Sequence, residues 1–201
     1  VDLSAKVLQA AVKDNSESIN NINEDIKDTM IAQTVESAKV QEEDVNKTDP
    51  AGLSKVVADI ILKSDANTSS KMLSEISNVD TQSNLSLKVM ADMSEKDPEK
   101  LESLSKSNVE DIEKLTVDAI NKTSSSEEDI SLIMQVIAGS SKDMANKVFA
   151  EVSKNNSAEG QKVDLSAKVL QAAVKDNSES INNINEDIKD TMIAQTVESA
   201  K

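Results

Sequence analysis

Apolar side chains recur along this chain at spacings of three and four residues, and a cluster of Asp, Asn, Ser, Pro or Gly closes each short run. That rhythm predicts amphipathic helices, because a period of about 3.6 residues puts positions i, i+3, i+4 and i+7 on one face. Leu3, Val7, Ala10 and Ala11 form the first stripe, with Asp2 as its N-cap and Lys13 to Ser16 as its stop. Ser16 or Ser18 caps a second helix carrying Ile19, Ile22 and Ile26, and Met30, Ile31, Val35 and Ala38 carry a third. Asp49 and Pro50 have the cap-and-proline order of a helix start ahead of LSKVVADIILK, which the polar segment SDANTSS then closes.

KMLSEIS from Lys71 predicts another short helix, and LSLKVMADMSEK follows from Leu85 after a polar loop. Asp97-Pro98-Glu99 repeats the helix-start order before Leu101 and Leu104, and Val109, Ile112, Leu115, Val117 and Ile120 carry the next stripe. Ser126 with Asp129 three residues on outlines a capping box ahead of ISLIMQVIAG, where Gly139 marks the end. Met144, Val148, Phe149 and Val152 form the last stripe before Gly160, giving about thirteen helices in all on this spacing.

Two repeats overlie this pattern. VDLSAKVLQAAVKDNSESINNINEDIKDTMIAQTVESAK, residues 1–39, returns without a change as residues 163–201, an offset of 162. The expected organisation is therefore one full unit, 1–162, and the start of the next, 163–201, in a window on a longer array; an added cap or overlap is the alternative. Inside the unit, KVVADI, KVMADM and KVFAEV share a Lys-Val-x-Ala-acid-aliphatic order. Taking the valine as marker gives Val7, Val35, Val56, Val89, Val117, Val148 and Val169, stepping by 28, 21, 33, 28, 31 and 21 residues. These valines are the expected packing seam. Ala58, Ala91 and Ala150 are its small positions, where helix axes approach to about 8 Å.

A period near 30 residues, long enough for two short helices and two turns, resembles that of helical-hairpin solenoids as a class. The resemblance implies an all-α superhelix of stacked helices in irregular hairpin repeats. MLSEIS followed by KVMADMSEKDPEKL is also similar to the acidic helical superhelix of magnesium-transporter cytosolic domains, which implies the same architecture and no more.

Composition narrows the picture. All 22 basic residues are lysine, there is no His, Cys, Trp or Tyr, and Phe149 is the one aromatic residue, so burial falls to Leu, Ile, Val, Met and Ala. Small aliphatics suit thin layers of helices better than a thick core. A net charge of −15 argues against nucleic-acid and anionic-membrane partners, which demand cationic patches. No run approaches the roughly 18 apolar residues of a membrane helix, and no signal peptide is expected.

Catalytic chemistry has a poor kit here, with Ser, Thr, Lys, Asp and Glu alone available as acid, base or nucleophile. Ser103 to Lys106 matches Ser-x-x-Lys, but in so Ser- and Lys-rich a chain that is expected by chance, and its companion motifs are absent. No catalytic residue, cofactor or metal site is assigned. The acidic runs Glu42-Glu43-Asp44 and Glu127-Glu128-Asp129, with Asp49, could offer calcium hard oxygen ligands, but they lack the order of a calcium loop and read as solvated edges. The recurrent lysines Lys55, Lys88 and Lys147 are expected to face acids on a neighbouring turn or helix.

The expected function is structural: a spacer or filament-forming segment whose partner is itself, unit to unit, through the aliphatic seam. A scaffold holding a protein or peptide on a concave face is the alternative. The polar exterior suits a cell-surface or extracellular fibre.

Overall fold

The computed structural model describes residues 3–14, 18–43, 52–79, 84–123, 126–155, 165–176 and 184–199. Among these the chain forms eleven α-helices and one four-residue 3-10 helix, with no strand. The helices are α1 (Leu3–Asp14), α2 (Glu24–Glu43), α3 (Leu53–Lys63), α4 (Ala66–Val79), α5 (Leu85–Lys96), α6 (Pro98–Ser107), α7 (Val109–Asn121), α8 (Glu127–Ala138), α9 (Lys142–Asn155), α10 (Leu165–Asp176) and α11 (Glu186–Ser199).

Local chemistry sets several of these boundaries. Asp97 accepts from the Lys100 amide at 2.9 Å with Pro98 at the first position of α6. Ser126 accepts from the Asp129 amide at 3.1 Å, and Glu127, Glu128 and Asp129 place three carboxylates on the positive end of α8. Asp65 caps α4 by accepting from the Thr68 amide at 2.8 Å. The polar SDANTSS segment therefore closes α3 at Ser64 as expected but is not all loop: with Asp65 as its cap, the next helix begins at Ala66, ahead of the expected start at Lys71. The second and third expected helices are also redrawn, since Ile19 lies in a 3-10 turn (Ser18–Asn21) and Ile26 to Ala38 share the single twenty-residue α2. The Asp49-Pro50 start lies outside the described residues, and α3 opens at Leu53 after Gly52, whose φ of 35° suits glycine.

Packing runs in two rows. In the first, α1 packs on α3, α3 on α5, α5 on α8 and α8 on α10; in the second, α2 packs on α4, α4 on α7, α7 on α9 and α9 on α11. The rows meet through α1 with α2, α3 with α4, α5 with α7, α8 with α9 and α10 with α11, and α6 bridges α5 to α7. The seam between them is one aliphatic cluster that includes Val57, Ile61, Leu73, Val89, Leu115, Ile133, Val148 and Phe149. Some buried hydroxyls reach helix carbonyls, as Thr116 does to Ile112 at 2.7 Å and Ser69 to Ile61 at 2.8 Å, whereas those of Thr34, Ser64 and Ser94 find no partner among the described residues.

Two positions show how tight the first row is. Gly139 ends α8 with φ −91°, so its role is closeness, not left-handed backbone. A Cβ there would lie 2.5 Å from the Ser94 carbonyl oxygen of α5. Asp92 of α5 faces Ser54 and Lys55 of α3, its pKa raised by burial against the opposing pull of the Ser54 hydroxyl, Lys55 and Lys96.

Three stability outcomes follow from this packing. Gly139→Ala should destabilise by about 2 kcal/mol, the usual cost of forcing atoms into a filled contact. Val148→Asp puts an unpaired charge at a position 1 % exposed, and should cost about 3 kcal/mol or more; an unchanged thermal midpoint for either variant would sink the packing just described. Asp92→Asn should raise the midpoint at neutral pH, where burial penalises the charged carboxyl, and the gain should vanish at pH values below 3.8.

Candidate self-docking interface

Among the described residues, the repeated 39-residue segment forms the same helix pair twice. Ser4 donates to Gln33 at 2.7 Å in the first copy, and Ser166 donates to Gln195 at 2.8 Å in the second, tying α1 to α2 and α10 to α11 alike. Asn23 and Asn185 cap the second helix of each pair by accepting from Asp25 and Asp187, at 3.1 and 3.0 Å. Lys27 binds Glu24 at 2.6 Å as Lys189 binds Glu186 at 2.7 Å.

Surroundings separate the two copies. The pair α1–α2 packs forward on α3 and α4, whereas α10–α11 packs backward on α8 and α9. Leu3, Val7 and Ile26 are exposed in the first copy, at 73, 44 and 57 %. Their counterparts in the second copy, Leu165 and Val169, are buried, and Ile188 is half-buried. The reverse holds on the opposite face: Val12, Ile31 and Val35 are buried, while Val174, Ile193 and Val197 are 63, 47 and 55 % exposed. One amino-acid sequence thus carries two apolar faces, a backward face and a forward face, and each copy covers the one that the other leaves open. Full burial of an aliphatic side chain of this size is worth about 1.5–3 kcal/mol, so three open ones on each face leave a sizeable hydrophobic stabilisation unrealised in the single chain.

Charge is arranged on the forward face as well. Lys71 of α4 reaches Glu24 at 2.8 Å and Asp28 at 2.6 Å on α2, and Glu24 holds Lys27 through its other oxygen. These two ammonium groups bring the Glu24 carboxyl down to about 2, Lys27 contributing most, and the Asp28 and Glu24 carboxylates push Lys71 up to about 12. In the second copy the matching acids, Glu186 and Asp190, are exposed at the open forward face. On the backward face Gln195 donates to the Ser153 carbonyl at 2.8 Å, closing the C-terminal end of α9, and Asn146 accepts from the Asn185 amide at 2.7 Å.

Of the marker residues, Val35, Val89, Val148, Val169, Ala58 and Ala91 are buried, Val56, Val117 and Ala150 are half-buried, and Val7 is exposed. Lys147 pairs with Glu113 of α7 at 2.8 Å and Lys88 with Glu128 of α8 at 3.4 Å, while Lys55 is exposed near Asp92. What the valine marker does not reveal is that the docking residues differ between copies. Leu3 and Val12 lie on opposite faces of one helix, and nothing in their spacing says that both faces are contact faces. The sequence signal available for it is that α1 is apolar on more than one stripe.

No protein-family model, curated protein or solved structure matches this chain. No described helix is long and apolar enough to cross a membrane. Among the described residues no three carboxylates converge as a metal site; Glu42 to Asp44 and Asp49 lie outside the residues whose side chains are described.

The α2–α4 ion pairs make a pH dependence. Glu24 titrates at about 2 when folded against a usual 4.5, so its pairing stabilises the fold fully above pH 4.5 and is lost as pH falls toward 2. Lys71 contributes fully below pH 10.5 and is lost as pH rises through 12. The difference in thermal midpoint between the native chain and Lys71→Ala should therefore be level between those limits and shrink toward zero at each end. A difference that persists undiminished at pH 2 would show that Lys71 acts through packing instead.

Proposed function

We propose that this chain is a structural spacer or filament-forming segment of a tandem-repeat protein, built as an all-α solenoid whose 162-residue units stack end to end. The observation that carries this reading is the complementarity of the two identical helix pairs. The first has the forward contact and lacks the backward one; the second has the backward contact and lacks the forward one. Within an uninterrupted array each pair would have both, and all six open aliphatic side chains of the two faces would be covered. Mechanically, each unit would present one face to its successor and the same opposite face to its predecessor. Identical contacts of this kind generate an open helical fibre unless the rotation closes into a ring. No catalytic or cofactor chemistry is required of it.

A groove of about 740 Å³ between α8 and α10 favours a second reading. Ile130, Met134 and Ala172 line it, with Lys168 and Lys175 at its edge, and an α-solenoid scaffold could hold a protein or peptide segment there. The spacer reading uses more of the open apolar surface.

A chain of three 162-residue units, imaged by electron cryomicroscopy, should show one continuous superhelix with an axial repeat of one unit. Compact particles joined like beads, without contact between units, would overturn the array.

A further inference from the structure

We infer that the repeated helix pair is exchangeable between copies: α10–α11 of one chain seats on the α3–α4 surface of a second copy, in place of that copy's own α1–α2, and links chains head to tail. The inference rests on the array reading, and it adds a partner, a second copy of this chain, and an address on it.

α1–α2 packs on α3–α4, and Val12, Ile31 and Val35, which are buried in this pair and open in its copy, mark its forward face, with Glu24 and Asp28 held by Lys71 of α4. That same face, residue for residue, stands open on α10–α11 as Val174, Ile193 and Val197, with Glu186 and Asp190 beside it. Both pairs hold the same internal geometry through Ser4–Gln33 and Ser166–Gln195, so the second copy arrives preformed for the site. Lys71 of the receiving chain would bridge Glu186 and Asp190 of the incoming one as it bridges Glu24 and Asp28 of its own.

Exchange conserves the contacts it breaks, because the competing segments have one sequence. Concentration sets the balance, and so does any change made to one copy alone. The first copy thus acts as an internal cap: it occupies the surface on which its twin in another chain would propagate the stack.

A substitution in one copy breaks the tie. In the full chain, Val35→Asp disables the forward face of α1–α2 and leaves that of α10–α11 intact, so sedimentation velocity should show oligomers at several-fold lower concentration than for the native chain. Val35→Asp with Val197→Asp disables both and should sediment as monomer while retaining helical circular dichroism. A folded Val35→Asp chain as monomeric as the native one, or a double variant that assembles as strongly, would overturn the exchange.

The register has its own check, which does not depend on tolerance of a buried charge. The chain has no native cysteine, so Lys71→Cys with Asp190→Cys, treated with a short bismaleimide, should give a ladder of covalent oligomers that fades on dilution. Lys71→Cys with Asp28→Cys should close within one chain. Closure of the second variant without a ladder from the first would overturn exchange and leave the array standing, whereas beads in the three-unit image would remove the array itself.

Discussion

Everything in this molecule depends on the fact that a two-row stack of short helices cannot cover its own ends. Each interior pair is sandwiched, so aliphatic side chains on both its faces leave water, but the terminal pairs have one neighbour each. The apolar residues on the uncovered face of each of these pairs then stay exposed. Six of the exposed large hydrophobic side chains, Leu3, Val7, Ile26, Val174, Ile193 and Val197, belong to the two end faces. Elsewhere the described surface carries few of them, Val40 and Val109 among these.

Aliphatic contact supplies adhesion but little discrimination, because Val and Ile fit many neighbours. Discrimination falls to polar contacts placed at the edges of the seam. Lys71 spans Glu24 and Asp28, Gln195 closes the end of α9 at Ser153, and Asn155 donates to the Ile120 carbonyl of α7 at 2.6 Å. Each of these joins one pair to the next and would be wasted in a shifted register. Against a net charge of −15, local lysines tie successive helix pairs to one another, as Lys71, Lys88 and Lys147 do. An all-lysine cation set fits such a seam, since an ammonium on a long stem can reach across a helix row while its methylenes cover apolar surface.

Row architecture also explains residues whose roles are hidden from a linear reading. Gly139 is required by the approach of α8 to Ser94, so its contact lies on a helix more than forty residues earlier in the chain. Asp92 occupies the acid position of the Lys-Val-x-Ala-acid order, as Asp59 and Glu151 do, yet it alone of the three is buried, because the α3 face bearing Ser54 closes over it.

By itself the sequence determined the helical class, most helix starts and the existence of two copies of one helix pair. These are local matters: a stripe at 3.6-residue spacing, a Ser or Asp placed to accept an N-terminal amide, a proline that fits the first turn, an identity over 39 residues. It misplaced the boundary at Ala66 because a polar run reads as a loop until Asp65 is seen capping it, and it split α2 because Ile19, Ile22 and Ile26 keep a three-to-four spacing that runs on across the actual helix start, capped by Asn23. Only the tertiary structure decided which face of α1 is inside. Val7 and Val169 have identical neighbours for dozens of residues along the chain, yet one is exposed and the other buried, because α3 and α4 lie on one side of the pair and α8 and α9 on the other. Burial is a property of what stands opposite a side chain in space, and no stretch of sequence contains its own neighbours.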